Sequence, residues 1–123
     1  MNQNLKTLGI FLLVATGLFS TLAAYLSTAR GLESRLNARF NYNNRLAIEE
    51  TSAESAAYFK QDRATEDYHH RQSDDYMAVC HEAAVQCQPL TNTRLNQRNL
   101  AMAAAIFAGV FALTAFTLAR RPA

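Results

Sequence analysis

Uncharged, apolar residues are concentrated in two blocks, one near each end of the chain. No charged side chain occurs in the 23 positions from Thr7 to Ala29 or in the 21 positions from Asn99 to Ala119. A helix needs about 20 residues, at 1.5 Å per residue, to cross ~30 Å of hydrocarbon. The pattern therefore predicts an all-α protein with two transmembrane helices joined by a polar, mostly helical extramembrane hairpin.

These blocks divide the chain into three segments. Residues 1–29 form an N-terminal transmembrane helix of the signal-anchor type, residues 30–98 an extramembrane helical segment, and residues 99–123 a C-terminal transmembrane helix with a short basic tail. A cleaved signal peptide is the alternative for the first block, because Lys6 precedes it and the small residues Ser27, Thr28 and Ala29 follow it. The apolar stretch from Leu8 to Leu26 exceeds the roughly 7–15 residues of a signal peptide, which favours a retained helix.

Charged residues are concentrated between the two blocks. All ten acidic residues and nine of the twelve basic residues lie in the middle segment, and the formal net charge of the whole chain is +2. Basic residues beside an apolar span are typical of contact with lipid headgroups. The arginines predicted to make this contact are Arg30, Arg35, Arg94, Arg98, Arg120 and Arg121. The expected partners are membrane lipids and membrane protein subunits, including further copies of the chain, and not nucleic acid.

Helix signals in the middle segment predict several elements. The first helix is expected to continue past Ala29, since Gly31 alone interrupts the helix-forming residues as far as Glu50. Thr51 followed by Glu54 fits a capping box, and Ser73 precedes two aspartates, so further helices are predicted near residues 52–71 and 74–86.

Proline and the apolar positions complete the expected layout of the middle segment. Pro89 predicts a turn at Gln88–Thr91, after which the final helix begins near Thr93. The 74–86 helix is expected to bury one stripe against the 32–59 region. The stripe consists of Tyr76, Val79, Cys80, Ala83 and Cys87, and the facing residues are Leu36, Phe40, Ala47, Tyr58 and Phe59.

Cys80 and Cys87 are the only cysteines of the chain. In an unbroken helix their Cα atoms would be roughly 10.5 Å apart, beyond the ~7 Å limit for a disulfide. Because Pro89 is expected to end the helix nearby, a chain that folds back after Ala84 would bring Cys87 to Cys80, and an oxidising compartment would then favour a disulfide. The alternative is a pair of buried thiols.

Candidate chemistry is sparse. His69, His70 and His81 lie among acidic residues, but without the Cys/His spacing of a zinc site, and such residues are usually solvated, so no metal site is predicted. A phosphate-binding glycine loop and a nucleophilic serine in a strand-to-helix turn are both missing. The sequence predicts a protein without catalytic residues or cofactors.

Small residues recur at helical spacing in both apolar blocks. Small side chains one turn apart let membrane helices approach each other closely. The predicted packing residues are Thr16, Gly17, Ser20, Thr21 and Ala24 in the first block and Ala101, Ala104, Ala105, Ala108, Gly109 and Ala112 in the second. Two separate small faces on the second block indicate more than one neighbouring helix.

The orientation in the membrane is indicated by opposing signals. Six arginines adjoin the spans on the side of the middle segment, which favours a cytoplasmic middle segment, but that segment exceeds the ~60 residues over which the positive-inside rule applies. The signal-anchor form of the first block and the cysteine pair favour the opposite arrangement. We expect a bacterial inner-membrane protein with both termini cytoplasmic and the middle segment outside.

Three functions are compatible with this layout. The first is an accessory or scaffolding subunit of a larger membrane complex, without catalysis. The second is a sensory or ligand-responsive helical hairpin that acts through a partner, since the layout resembles a truncated chemoreceptor input module. The third is a small pore-forming protein, similar in kind to holins, or an immunity protein, which the long charged middle segment disfavours.

Overall fold

The computed structural model describes residues 2–122, and they form an all-α protein of three helices. Helix α1 spans Gln3–Leu26, α2 spans Gly31–Phe59 and α3 spans Arg63–Ala119. These helices form two compact units. The terminal unit comprises the chain up to Thr28 together with the chain from Asn92 onward, and the middle unit is Ala29–Thr91.

The first helix ends earlier than the sequence predicts. Asn2 caps the start of α1, because its Oδ1 accepts hydrogen bonds from the backbone N–H groups of Asn4 at 3.0 Å and Leu5 at 3.3 Å. The prediction that α1 runs past Ala29 is wrong, since Arg30 is extended and α2 starts anew at Gly31. Gly31 has a φ of +58°, a left-handed conformation that glycine adopts without steric cost.

A tight turn at residues 60–62 connects α2 to α3. The N–H of Gln61 donates to the carbonyl of Tyr58 at 3.0 Å, and the N–H of Asp62 donates to that of Ala57 at 3.0 Å. Asp62 then caps α3, with Oδ1 3.2 Å from the backbone nitrogen of Thr65. The chain therefore reverses direction about ten residues before the cap predicted at Ser73.

The helices predicted at 52–71 and 74–86 are wrong because their proposed caps lie inside longer helices. Thr51 directs its hydroxyl back to the carbonyl of Ala47, at 2.9 Å, instead of capping a new helix. The hydroxyls of Thr51 and Ser73 are 3.0 Å apart, so both belong to the contact between α2 and α3. Hydroxyl groups that are already bonded within their own helix or across the helix pair are not available to cap the start of another helix.

The turn predicted at Gln88–Thr91 is also wrong, since α3 continues through Pro89 without interruption. Proline removes the hydrogen bond that its N–H would make to the carbonyl four residues earlier, here that of Val85. Both Val85 and Pro89 are exposed, so the proline lies on the outer side of the helix. Packing of the opposite face sustains a helix that propensity alone would end.

The terminal unit is an antiparallel pair made of α1 and the later part of α3. Its two ends are joined by hydrogen bonds, from the Asn2 N–H to the Ala119 carbonyl at 3.1 Å and from Arg94 Nη1 to the Leu26 carbonyl at 2.8 Å. The buried positions are all small, namely Gly9, Ala23, Ala101, Ala108, Ala112, Ala115 and Ala119. Most of them recur at seven-residue intervals, which is the period of a closely packed helix pair.

The middle unit is an antiparallel pair made of α2 and the early part of α3. The thiol of Cys80 donates to the carbonyl of Phe40 at 3.4 Å, which confirms that these two regions pack together. The buried positions are Glu33, Leu36, Ala47, Ala57, Ser73, Cys80, Ala83 and Cys87. Tyr58 and Phe59, predicted to lie in this contact, are instead 63% and 81% exposed near the turn.

Candidate functional site

The most distinctive surface is the outside of the terminal unit, where large apolar side chains are exposed. Along α1 these include Leu8, Phe11, Val14, Leu18 and Leu22, and along α3 Leu100, Ile106, Phe107, Phe111 and Leu113. Two helices are long and apolar enough to cross a membrane, and only 11% and 28% of their most apolar stretches are buried. The core helix of a soluble protein would be mostly buried, so these helices present their apolar residues outward.

Small residues on α3 lie between the two helices of the terminal unit. Ala101, Ala108 and Ala112 are buried, while Ala104, Ala105 and Gly109 are half-buried. A Cβ atom placed on Gly109 would lie 3.8 Å from Thr16, which is ordinary contact, so α1 and α3 already approach closely at this position. Gly9 makes a tighter contact, because a Cβ there would lie 2.9 Å from the ring of Phe116. Gly9 was not predicted as a packing residue, because the prediction used the spacing of small residues within one helix. The residue that makes Gly9 important, Phe116, lies on the other helix of the pair.

The small residues of α1 occupy two different environments. Thr16 is half-buried against α3, whereas Gly17, Ser20, Thr21 and Ala24 are exposed. Nothing lies within 4 Å of a Cβ atom placed on Gly17. The terminal unit therefore has a face of small residues, defined here as Gly17, Ser20, Thr21 and Ala24 and called the small face, that does not contribute to its own helix pair.

The arginines predicted to contact headgroups are found in both units. Arg30 and Arg35 are exposed in the middle unit, and Arg120 and Arg121 are exposed at the end of α3. Arg94 and Arg98 are half-buried in the terminal unit. Arg98 differs from the others because its Nε is buried and has no hydrogen-bond acceptor among the described residues.

Cys80 and Cys87 are free thiols, both buried in the middle unit, so the candidate disulfide is not observed. The physical reason is the continuity of α3, which holds the two Cα atoms roughly 10.5 Å apart, beyond disulfide range. Cys87 Sγ instead lies 3.2 Å from Asn37 Oδ1 and 3.6 Å from Thr91 Oγ1. The alternative interpretation, two buried small thiols, describes the structure.

A buried carboxylate adjoins Cys87, and sequence reasoning did not single it out. Glu33 is 5% exposed, and its Oε1 accepts a hydrogen bond from the Thr91 hydroxyl at 2.7 Å. Only the pairing of α2 with α3 brings these two residues together, since they are 58 positions apart in the chain. This polar cluster fixes the register of the helix pair at the end of the middle unit distant from the turn.

Histidines and carboxylates also pair across the middle unit. His69 Nδ1 contacts Glu50, and His70 Nδ1 lies 2.9 Å from Glu54 Oε1. The other ring nitrogen of His70 lies 3.4 Å from Asp74, the one-turn spacing considered from the sequence. The two nitrogens thus face different carboxylates and do not converge on one point. Among the described residues no group of three or more metal-ligating side chains occurs.

Asp62 has an exposed side chain that caps the start of α3. Its pKa is lowered from 3.8, chiefly because the Thr65 hydroxyl donates a hydrogen bond to the carboxylate at 2.7 Å. The backbone N–H of Thr65 contributes in the same direction. This arrangement is an exposed helix cap, and its chemistry is structural.

Comparison with protein families, with curated proteins and with solved structures finds no match to this chain.

Proposed function

We propose that this chain is a membrane-spanning accessory or scaffolding subunit of a larger membrane complex and carries no catalysis of its own. The observation that supports the membrane location best is the arrangement of the terminal unit, with small residues between its helices and large apolar residues on the outside. In water such a surface would be a severe liability, because contiguous exposed apolar area drives association. In lipid it is the expected arrangement, since close packing of small residues and not apolar burial holds membrane helices together.

The small face of α1 supports a protein partner. Its residues do not serve the internal helix pair, yet they would allow another helix to approach α1 closely. The hydroxyl of Thr21 bonds to the carbonyl of Gly17 at 2.9 Å, so its polarity is satisfied within the helix. A helix that packs on this face therefore meets no uncompensated donor at Thr21.

Copurification tests the proposal directly. The full chain, solubilised from its native membrane in mild detergent, should migrate on a native gel within an assembly larger than a homodimer. Ser20→Phe, on the small face, should release the chain from that assembly, because a bulky ring prevents close helix approach. The matched control is Leu18→Phe, since Leu18 is 68% exposed on α1 and lies about 100° around the helix from Gly17, away from the small face. Migration of the wild-type chain only as a free monomer or homodimer would contradict the proposed function.

The proposal includes an orientation, with both termini cytoplasmic and the middle unit outside a bacterial inner membrane. Gln61 is exposed in the turn between α2 and α3, and it suits a single introduced cysteine after the native pair is changed to serine. Gln61→Cys should react with a membrane-impermeant maleimide in intact cells. Reaction only after permeabilisation would show the opposite orientation, with the middle unit in the cytoplasm. A cytosolic partner would then be the first to seek.

A further inference from the structure

Histidine and glutamate side chains meet across the two helices of the middle unit. His69 Nδ1 of α3 contacts Glu50 of α2, and His70 Nδ1 lies 2.9 Å from Glu54 Oε1 of α2. The Tyr68 ring lies edge to face with His69, and a tyrosine side chain is neutral near pH 7. Among the described residues, neither glutamate forms an ion pair with a lysine or an arginine. The ion pairs that these glutamates make across the helix pair therefore form only while the histidines are protonated.

His70 has a carboxylate beside each of its ring nitrogens. Its Nδ1 faces Glu54 across the helix pair, and its Nε2 lies 3.4 Å from Asp74 Oδ2, one turn later on α3. A neutral imidazole carries a hydrogen on only one nitrogen, so the other nitrogen would direct a lone pair at a carboxylate oxygen. The imidazolium has an N–H group at both positions, so these surroundings fit the protonated ring better than the neutral one.

Other charges near the two histidines act in the same direction. Glu66 and Asp67 both lie about one turn before His70 on α3, the spacing at which helix side chains are neighbours. Arg71 is the adjacent cation, but its Nε donates to the backbone carbonyl of Asp67, at 3.4 Å. Residues 49–82 contain nine acidic residues, three basic residues and three histidines. Protonation of the histidines therefore also reduces repulsion among carboxylates in this part of the chain.

We propose that the contact between α2 and α3 is pH-responsive, and that protonation of His69 and His70 holds the helix pair more tightly near its turn. Mild acid protonates histidine while aspartate and glutamate ordinarily stay ionised, so three ion pairs form there. This stabilisation is present in mild acid and is lost as the pH rises through the range in which histidine titrates. The inference goes beyond a scaffolding role, and it depends on neither the membrane location nor the orientation proposed above.

His81 provides a matched control. It lies on α3, is exposed, and forms no ion pair among the described residues. Its protonation adds the same charge to the same acidic part of the chain, but without an ion pair to α2. A response that comes from the contact will therefore depend on His69 and His70, whereas a response to net charge will depend equally on His81.

Amide hydrogen exchange in the part of α3 near the turn tests the proposal, because it reports local opening of the helix pair. The full chain is measured by mass spectrometry at about pH 5.5 and at about pH 8, on either side of the range in which histidine titrates. Each variant is compared with the wild type at the same pH, so the pH dependence of the intrinsic exchange rate cancels. Circular dichroism confirms that each variant remains helical.

The double variant His69→Gln, His70→Gln should exchange about fivefold faster than the wild type at the lower pH, the factor expected for a few partly exposed ion pairs. At the higher pH it should exchange at about the wild-type rate, and His81→Gln should do so at both. In a chain that carries Glu54→Gln and Asp74→Asn, His70→Gln should no longer speed exchange, because the carboxylates beside the imidazolium are gone.

Three outcomes would overturn the proposal. Equal acceleration of the double variant at both pH values would show that His69 and His70 contribute packing alone. Wild-type exchange of the double variant at the lower pH would show that the ion pairs do not hold the helices together. An equally large effect of His81→Gln would assign the response to the net charge of the segment and not to the contact between α2 and α3.

Discussion

Gly9→Leu should destabilise the helix pair of the terminal unit, whereas Gly17→Leu should not. A Cβ atom at position 9 would lie 2.9 Å from Cζ of Phe116 and 3.0 Å from both neighbouring ring carbons. Both glycines lie on α1, but only Gly9 is buried, and no atom lies within 4 Å of a Cβ on Gly17. The two variants therefore introduce the same side chain on the same helix and differ only in the atoms that the new side chain would meet.

The magnitude follows from overpacking. Forcing extra methylene groups into a filled contact typically costs about 1–3 kcal/mol, and leucine adds three carbons beyond the Cβ that already clashes. We expect Gly9→Leu to lower the free energy of separating the two helices by about 2–3 kcal/mol, a factor of 30 or more in the equilibrium constant. Gly9→Ala should cost less, because the ring of Phe116 can tilt to admit one methyl group.

Helix separation can be measured by energy transfer between dyes on cysteines introduced at Lys6 and Arg120, which both lie near the end of the terminal unit where Asn2 is bonded to Ala119. The native cysteines are first replaced by alanine, and the purified chain is titrated with a denaturing detergent. Gly9→Leu should shift the midpoint downward, and Phe116→Ala in the same chain should restore part of the loss by making room. Equal midpoints for Gly9→Leu and Gly17→Leu would refute the close contact between Gly9 and Phe116. A double variant, Gly9→Leu with Phe116→Ala, that is no more stable than Gly9→Leu alone would refute it too.

Two further predictions concern the middle unit. Asp62→Ala should lower the thermal midpoint of the full chain, followed by circular dichroism, because the cap of α3 is lost. The folded-state pKa of Asp62 lies below its ordinary 3.8, so this stabilisation is present above that value and is lost as the pH falls through the lowered pKa. The wild type and Asp62→Ala should then converge in strong acid, and a difference that persists there would contradict a role for the carboxylate charge. Cys80 and Cys87, being buried free thiols, should resist a maleimide in the folded chain and take up two equivalents after denaturation without reductant, as measured by intact mass. If the denatured chain took up no maleimide, Cys80 and Cys87 would be joined in a disulfide.

Several sequence predictions in the middle unit failed for one physical reason. Thr51, Ser73 and Pro89 are local signals for helix ends, yet all three lie inside helices. Two of them are used in the contact between α2 and α3, and the third lies on the exposed side of α3. Local propensities are worth about 1–3 kcal/mol each, so extended packing along a helix pair can outweigh them.

The candidate sites were predictable to different extents. Spacing alone predicted Ala101, Ala108 and Ala112 among the packing residues of two small faces, and these three are buried in the terminal unit. Gly9 and Glu33 were not predicted, since their importance comes from Phe116 and Thr91, which are distant in the chain. The sequence also did not distinguish Arg98 from the other five arginines predicted to contact headgroups, because the burial of its Nε depends on residues around it in the fold.

The sequence by itself determined that the chain is helical and where its two long apolar stretches lie. Both features follow from properties that accumulate residue by residue, namely the run of apolar side chains and the near absence of glycine and proline. Tertiary structure alone decided where the helices end, that Cys80 and Cys87 remain thiols, and which residues face each other. Those outcomes depend on contacts between residues far apart in the chain, and no single segment contains the information that selects them.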